Sequence, residues 1–162
     1  MVHNVLIAVH AVAGVVSFAA GAVSLRLTAR TSRPWRAYMA SLTIMVVAVG
    51  FAVAADWSEF DAVARWVFAA LLGLGAYMIW RAGHAGVLSR RRKPGWRPAY
   101  IDDVGFTLIA LFEGFVIVAA IDLDAPGWLV TVVAGLGLLV GIQTKNRVKA
   151  RLTRTPEQAG RP

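Results

Sequence analysis

Two ionisable side chains fall well inside apolar stretches of the sequence, His10 and Glu113. An imidazole or a carboxylate below a membrane surface is costly unless it is paired, metal-bound or hydrated, and such groups tend to serve proton or ion pathways. Counting about 1.5 Å of rise per residue, both lie in the outer half of their stretches and differ in depth by only a few ångströms. The expectation is a polar intramembrane site in which His10 and Glu113 pair and take up protons or an ion from the outer side, with Asp56 as a rim ligand. The plainer alternative is one interhelical hydrogen bond from a protonated Glu113.

Other chemistries have less to stand on. His10, Glu113 and one outer aspartate are zinc-type ligands, yet their spacing matches no zinc motif. Haem b needs two histidines on facing helices at matched depth. The chain has three, His3, His10 and His84. The first two point the same way from one helix and His84 lies toward the opposite membrane face, so no haem is expected within a monomer and no cofactor is assigned. The absence of cysteine removes disulfides, iron–sulfur clusters and thiolate nucleophiles. No Ser/His/Asp arrangement or phosphate loop is present, so no catalytic residue is assigned.

Small and polar residues recur on single helix faces. His3, His10, Ser17 and Ser24 are spaced by seven, with Gly14 and Gly21 close to the same side. Such a face permits close backbone approach and hydrogen bonds across helices, which makes Gly14, Ser17 and Gly21 packing residues. Gly137-Leu-Leu-Val-Gly141 is a second close-packing pattern, and a contact for a homo-oligomer or a larger membrane complex. Asp102 and Asp103 are expected to begin a helix, where carboxylates complement the positive end of the dipole, and to pair with nearby arginines.

The elements that must position these residues are set by composition. The 162 residues are 58% hydrophobic with a mean hydropathy of +0.63, outside the range of soluble domains and inside that of multi-span membrane proteins. Five apolar segments stand out, at 5–25, 38–55, 64–80, 104–121 and 128–142. Each approaches the roughly 17–25 residues that cross a bilayer, and backbone groups in lipid must be satisfied within the segment, so each is expected to be an α-helix. The first lacks a preceding basic residue and runs for about 20 residues, which reads as a retained span rather than a signal peptide.

The net charge of +8 and pI near 11.1 arise from placement, not from a nucleic-acid surface. Arg26, Arg30, Arg33 and Arg36 fall in the first link; Arg81, Arg90, Arg91, Arg92, Lys93 and Arg97 in the third; Lys145, Arg147, Lys149, Arg151, Arg154 and Arg161 in the tail. The other links carry Asp56, Glu59, Asp61, Asp122 and Asp124, with Arg65 alone opposing them. The positive-inside rule puts the basic links and tail in the cytoplasm and the N-terminus outside. Trp35, Trp57, Trp66, Trp80 and Trp128 mark the span ends as headgroup-layer anchors. Arg90, Arg91, Arg92, Lys93 and Arg97, in a loop made non-helical by Pro94 and Pro98, are expected to attract anionic lipid headgroups. The organisation expected is thus a five-helix transmembrane domain over 1–144 and a basic cytoplasmic tail over 145–162, whose helix ends near Pro156 and Gly160.

These residues together resemble a bacterial membrane-protein family grouped as domain of unknown function 2306. The resemblance is carried by Val9-His10-Ala11-Val12-Ala13-Gly14, by the Arg-rich turn into the second helix, and by Ala76-Tyr77-Met78-Ile79-Trp80-Arg81 closing the third. It spans most of the chain to about residue 142, and Trp35-Arg36 stand where the family pattern has a His-Arg pair. It implies bacterial origin and the multi-helix architecture, and no activity. The reading that follows is a small multi-pass inner-membrane protein with an intramembrane His/Glu site for proton or ion coupling. An accessory or structural subunit of a membrane complex ranks second, and a membrane-bound enzyme or metal- or haem-binding protein third.

Overall fold

The structure is a computed structural model that describes residues 2–26, 32–123 and 126–153. Arg30, Asp124, Arg154, Pro156, Gly160 and Arg161 lie outside the described residues, as do the side chains of His3 and Asp122. The described secondary structure is helical throughout: α1 (Val2–Arg26), α2 (Ser32–Ala55), α3 (Ala62–Arg91), α4 (Trp96–Asp122) and α5 (Gly127–Thr153). Among the described residues, Asn4–Arg26, Arg33–Ala55 and Ala64–Arg91 are long and apolar enough to cross a membrane, with mean hydropathies of 2.1, 2.1 and 1.3. The chain has the make-up of a helical membrane protein.

Local chemistry sets the helix ends. Pro34 falls in the first turn of α2, where its missing N–H costs no intrahelical bond. Asp61 caps α3, its Oδ1 accepting from the Ala64 N–H at 2.7 Å. At the other end of α3 the Arg92 N–H donates to the Leu88 carbonyl at 3.0 Å. Arg92 itself turns into the left-handed region with φ 43°, and Gly95 follows at φ 78°. Two positive-φ residues so close together reverse the chain sharply, and glycine suits the second because it has no Cβ to clash. The basic link is therefore shorter than the sequence suggests. Arg90 and Arg91 still belong to α3, and Pro98 sits in the first turn of α4, a position that tolerates proline.

The chain divides into two compact units, Met1–Gly83 and His84–Pro162. In the first, the buried side of α1 is built from Ala13, Gly14, Ser17, Gly21 and Ser24, while Tyr38, Leu42, Met45, Ala48 and Ala52 are buried on α2. α2 and α3 meet antiparallel at two glycines. A Cβ on Gly75 would stand 3.0 Å from Val46, and one on Gly50 3.7 Å from Leu72. Large apolar side chains such as Val12, Val15, Phe51, Trp66 and Leu71 point outward. On α1, small residues toward the neighbouring helix with large ones outside reverse the soluble pattern, because lipid solvates a valine as well as a neighbouring helix does.

In the second unit α4 and α5 pack antiparallel in rungs. Glu113 meets Gly137, Ile109 meets Gly141, and Gly105 meets Lys145. Asp102 closes the series against Lys145 and Lys149. On α5 the participants recur every four residues, and each glycine lies opposite a larger side chain. That alternation lets the backbones approach while filling the space between them.

Candidate functional site

His10 projects from α1 with its ring partly buried, and its Nδ1 lies 3.0 Å from the main-chain carbonyl of Met45 on α2. A carbonyl only accepts, so Nδ1 carries the hydrogen and the lone pair of the neutral ring is on Nε2. This is the arrangement by which proteins fix a histidine for work through its far nitrogen. One turn and two turns further along α1, the same face is closed by Gly14 and by Ser17, which is fully buried. The Ser17 hydroxyl has no hydrogen-bond partner among the described residues. Gly21 continues the buried face.

Asp56 follows the last residue of α2 and is partly buried. Its carbonyl accepts from the Glu59 N–H at 2.9 Å, forming the turn that leads to the Asp61 cap. Arg65, in the first turn of α3, reaches back to the Trp57 carbonyl at 3.2 Å, with its guanidinium 6.0 Å from the Trp57 ring centre.

Glu113 lies in the second unit, on the α4 face that meets α5. Its Oε1 is buried and has no hydrogen-bond partner among the described residues. It presses on Gly137, where any side chain would be driven into that oxygen. A buried carboxylate oxygen without a hydrogen-bond partner loses hydration without compensation. Gly141, one turn away, is filled by Ile109, whose Cγ1 stands 2.9 Å from where a Cβ would be. Both glycines are thus covered within the chain.

The structure also assembles ionisable residues that the sequence did not link. Asp102 and Asp103 do not begin α4, which starts six residues before Asp102 at Trp96, and their described ion pairs are to one histidine and two lysines. Asp103 is 5% exposed, and its Oδ2 lies 2.7 Å from Nδ1 of His84, whose side chain is 49% exposed. Asp102 receives Lys145 at 3.1 Å and Lys149. The stem of Lys145 runs over Gly105, with Cγ 2.9 Å from where a Cβ would lie. Burial alone would raise the Asp102 pKa, but hydrogen bonds from Lys149 and Lys145 and their two charges outweigh it and hold the carboxyl below its ordinary value. Tyr100, 1% exposed, has its phenol pushed up to about 12 by burial. A signal for the Asp102 contact did exist in the sequence. Gly137, Gly141, Lys145 and Lys149 form one stripe at four-residue spacing, so the lysines must face whatever the glycines face.

Arg90, Arg91, Arg92, Lys93 and Arg97 are all exposed. Arg90 and Arg91 occupy the last turn of α3, where cations complement the negative end of the helix dipole. The Arg97 guanidinium lies 5.9 Å from the Trp96 ring centre. Among the described residues no three His, Asp or Glu side chains group as a metal site.

No family model matches the chain, and no curated protein or solved structure is found to be similar to it.

Proposed function

We propose that this chain is a five-span inner-membrane protein, N-terminus outside and basic tail in the cytoplasm, whose intramembrane ionisable groups exchange protons. The observation that carries the reading is the Glu113 carboxyl, with a buried oxygen that has no hydrogen-bond partner among the described residues on a helix otherwise apolar from Val104 to Leu111 save for Thr107. His10 supports it, since its hydrogen bond to the Met45 carbonyl commits Nδ1 and leaves the lone pair of the neutral ring on Nε2. The orientation rests on the basic third link and tail against the acidic second and fourth links, and the exposed basic run 90–93 meets anionic headgroups. Membership of the domain 2306 family belongs to the same proposal and rests on the motifs at 9–14 and 76–81. An accessory subunit associating through Gly137 and Gly141 is disfavoured, because Glu113 and Ile109 already occupy that face.

The test is chemical and functional together. A hydrophobic carbodiimide adds to a protonated carboxyl in an apolar setting and rearranges to a stable acylurea. Mass spectrometry of the treated protein is expected to find the adduct on Glu113, and Glu113→Gln to lose it. Proteoliposomes holding an internal pH dye are expected to show proton flux that Glu113→Gln abolishes. An unlabelled Glu113 with flux no greater than that of empty liposomes would sink the proposal.

A further inference from the structure

We infer that His84 and Asp103 form a second proton-exchange site, at the basic end of the chain, with the imidazole as proton acceptor and Asp103 as its positioning carboxylate. The inference rests on the proton-coupled reading of Glu113 and extends it to a part of α4 that reading does not use.

Asp103 Oδ2 and His84 Nδ1 are 2.7 Å apart. The carboxylate accepts, so the neutral ring holds its hydrogen on Nδ1 and its lone pair on Nε2. Asp103 is 5% exposed whereas the His84 side chain is 49% exposed. The carboxylate is therefore fixed in the protein while the ring is open at its surface. A proton arriving from hydronium bonds to Nε2, the imidazolium is stabilised by the carboxylate at Nδ1, and release retraces the step. One N–H bond forms or breaks and no other group changes.

The neighbouring pair shows why this is more than a clamp between helices. One residue away, Asp102 is held by two lysines, Lys145 and Lys149. The α3–α4 contact instead uses the side chain whose ordinary charge change falls between about pH 5 and 8, although Arg90, Arg91, Arg92 and Lys93 follow within the same stretch of chain. The charged and titratable groups nearest to it along the chain are Arg81, Arg90 and Arg91 on α3 and Tyr100 and Asp102 on α4, with Lys145 and Lys149 of α5 engaged on Asp102. Tyr100, at about 12, keeps its proton across that range.

Position along α4 links the two sites. Glu113 comes ten residues after Asp103, about 15 Å along the helix axis. Thr107, fully buried one turn beyond Asp103, donates to the Val104 carbonyl at 2.8 Å. One helix, α4, thus carries the carboxylate of the dyad toward its basic end and a carboxyl with a buried oxygen near its middle.

The experiment uses the full chain in lipid bilayers with nitrogen-15-labelled histidine, its three histidines assigned through His3→Gln and His10→Gln. The neutral His84 ring is expected as the Nδ1–H tautomer, with Asp103→Asn redistributing it toward Nε2–H. In proteoliposomes His84→Gln is expected to slow proton flux roughly a hundredfold, the scale of one lost acid–base group, while carbodiimide labelling of Glu113 is unchanged. A tautomer indifferent to Asp103→Asn overturns the dyad. So does flux that survives His84→Gln but not Glu113→Gln, and that result leaves the Glu113 reading standing. Flux that survives both substitutions removes the proton-coupled reading and the dyad's role with it.

Discussion

At the scale of single residues, Asp102 shows how a charge is held at the end of a helix pair. Burial opposes its ionisation, yet hydrogen bonds and charge from Lys149 and Lys145 win, and its pKa lies below the ordinary 3.8. With the folded value below the unfolded one, the unfolded chain binds more protons in the interval between them, so stability rises with pH there. The contribution is complete above 3.8 and is lost as pH falls through the lowered folded value. Acid titration of the purified protein in detergent, followed by circular dichroism, is expected to show a loss of stability in this interval that Asp102→Asn removes. An Asp102→Asn protein with the wild-type acid profile would mean that the pair contributes nothing to folding.

His10 makes a related point by a different route. Its partner is a main-chain carbonyl, which any residue at position 45 supplies, so the contact has no signature in residue types. The sequence could flag His10 as an unusual side chain in an apolar segment. It could not say which nitrogen is committed, and that decides what the ring can do.

At the scale of elements, the α4–α5 pair is a series of large-against-small rungs in which Gly137 is matched to Glu113. Adding a methyl at Gly137 forces the carboxyl aside, and Gly137→Ala is expected to cost about 1–3 kcal/mol, the usual range for overpacking. Glu113→Ala vacates the space that the methyl needs. The double variant is therefore expected to be more stable than the sum of the singles by about 1 kcal/mol or more, measured by unfolding in mixed micelles. Strict additivity would show that the two residues do not share the rung. The same pairing explains why a small-xxx-small pattern need not mark an oligomer contact. The pattern specifies a surface that admits close approach, and here α4 fills it.

At the scale of the whole molecule, the charge asymmetry and the lack of cysteine make orientation directly measurable. Ser58 and Lys93 are exposed in the second and third links. Single-cysteine variants Ser58→Cys and Lys93→Cys have no competing thiol. In intact cells a membrane-impermeant maleimide is expected to label the first and to reach the second only after the membrane is permeabilised. The reverse pattern would invert the topology and place the His84–Asp103 dyad on the outer side. Equal labelling of both would contradict a membrane crossing by α3, which lies between them.

The sequence by itself determined the helical membrane character, because hydropathy and the cost of unsatisfied backbone in lipid act on segments before any two of them meet. It also singled out His10 and Glu113, since a polar side chain in an apolar run stands out wherever its neighbours are. The partners were decided only by tertiary structure. Asp103 and His84 are nineteen residues apart and Asp102 and Lys149 forty-seven, and which side chains meet depends on helix rotation and axial register. Lipid-facing apolar surface does little to specify either quantity, because burying it against another helix gains little over leaving it in the bilayer. Register here is set by glycines and ion pairs acting together, and those become readable as partners only once the helices are in place.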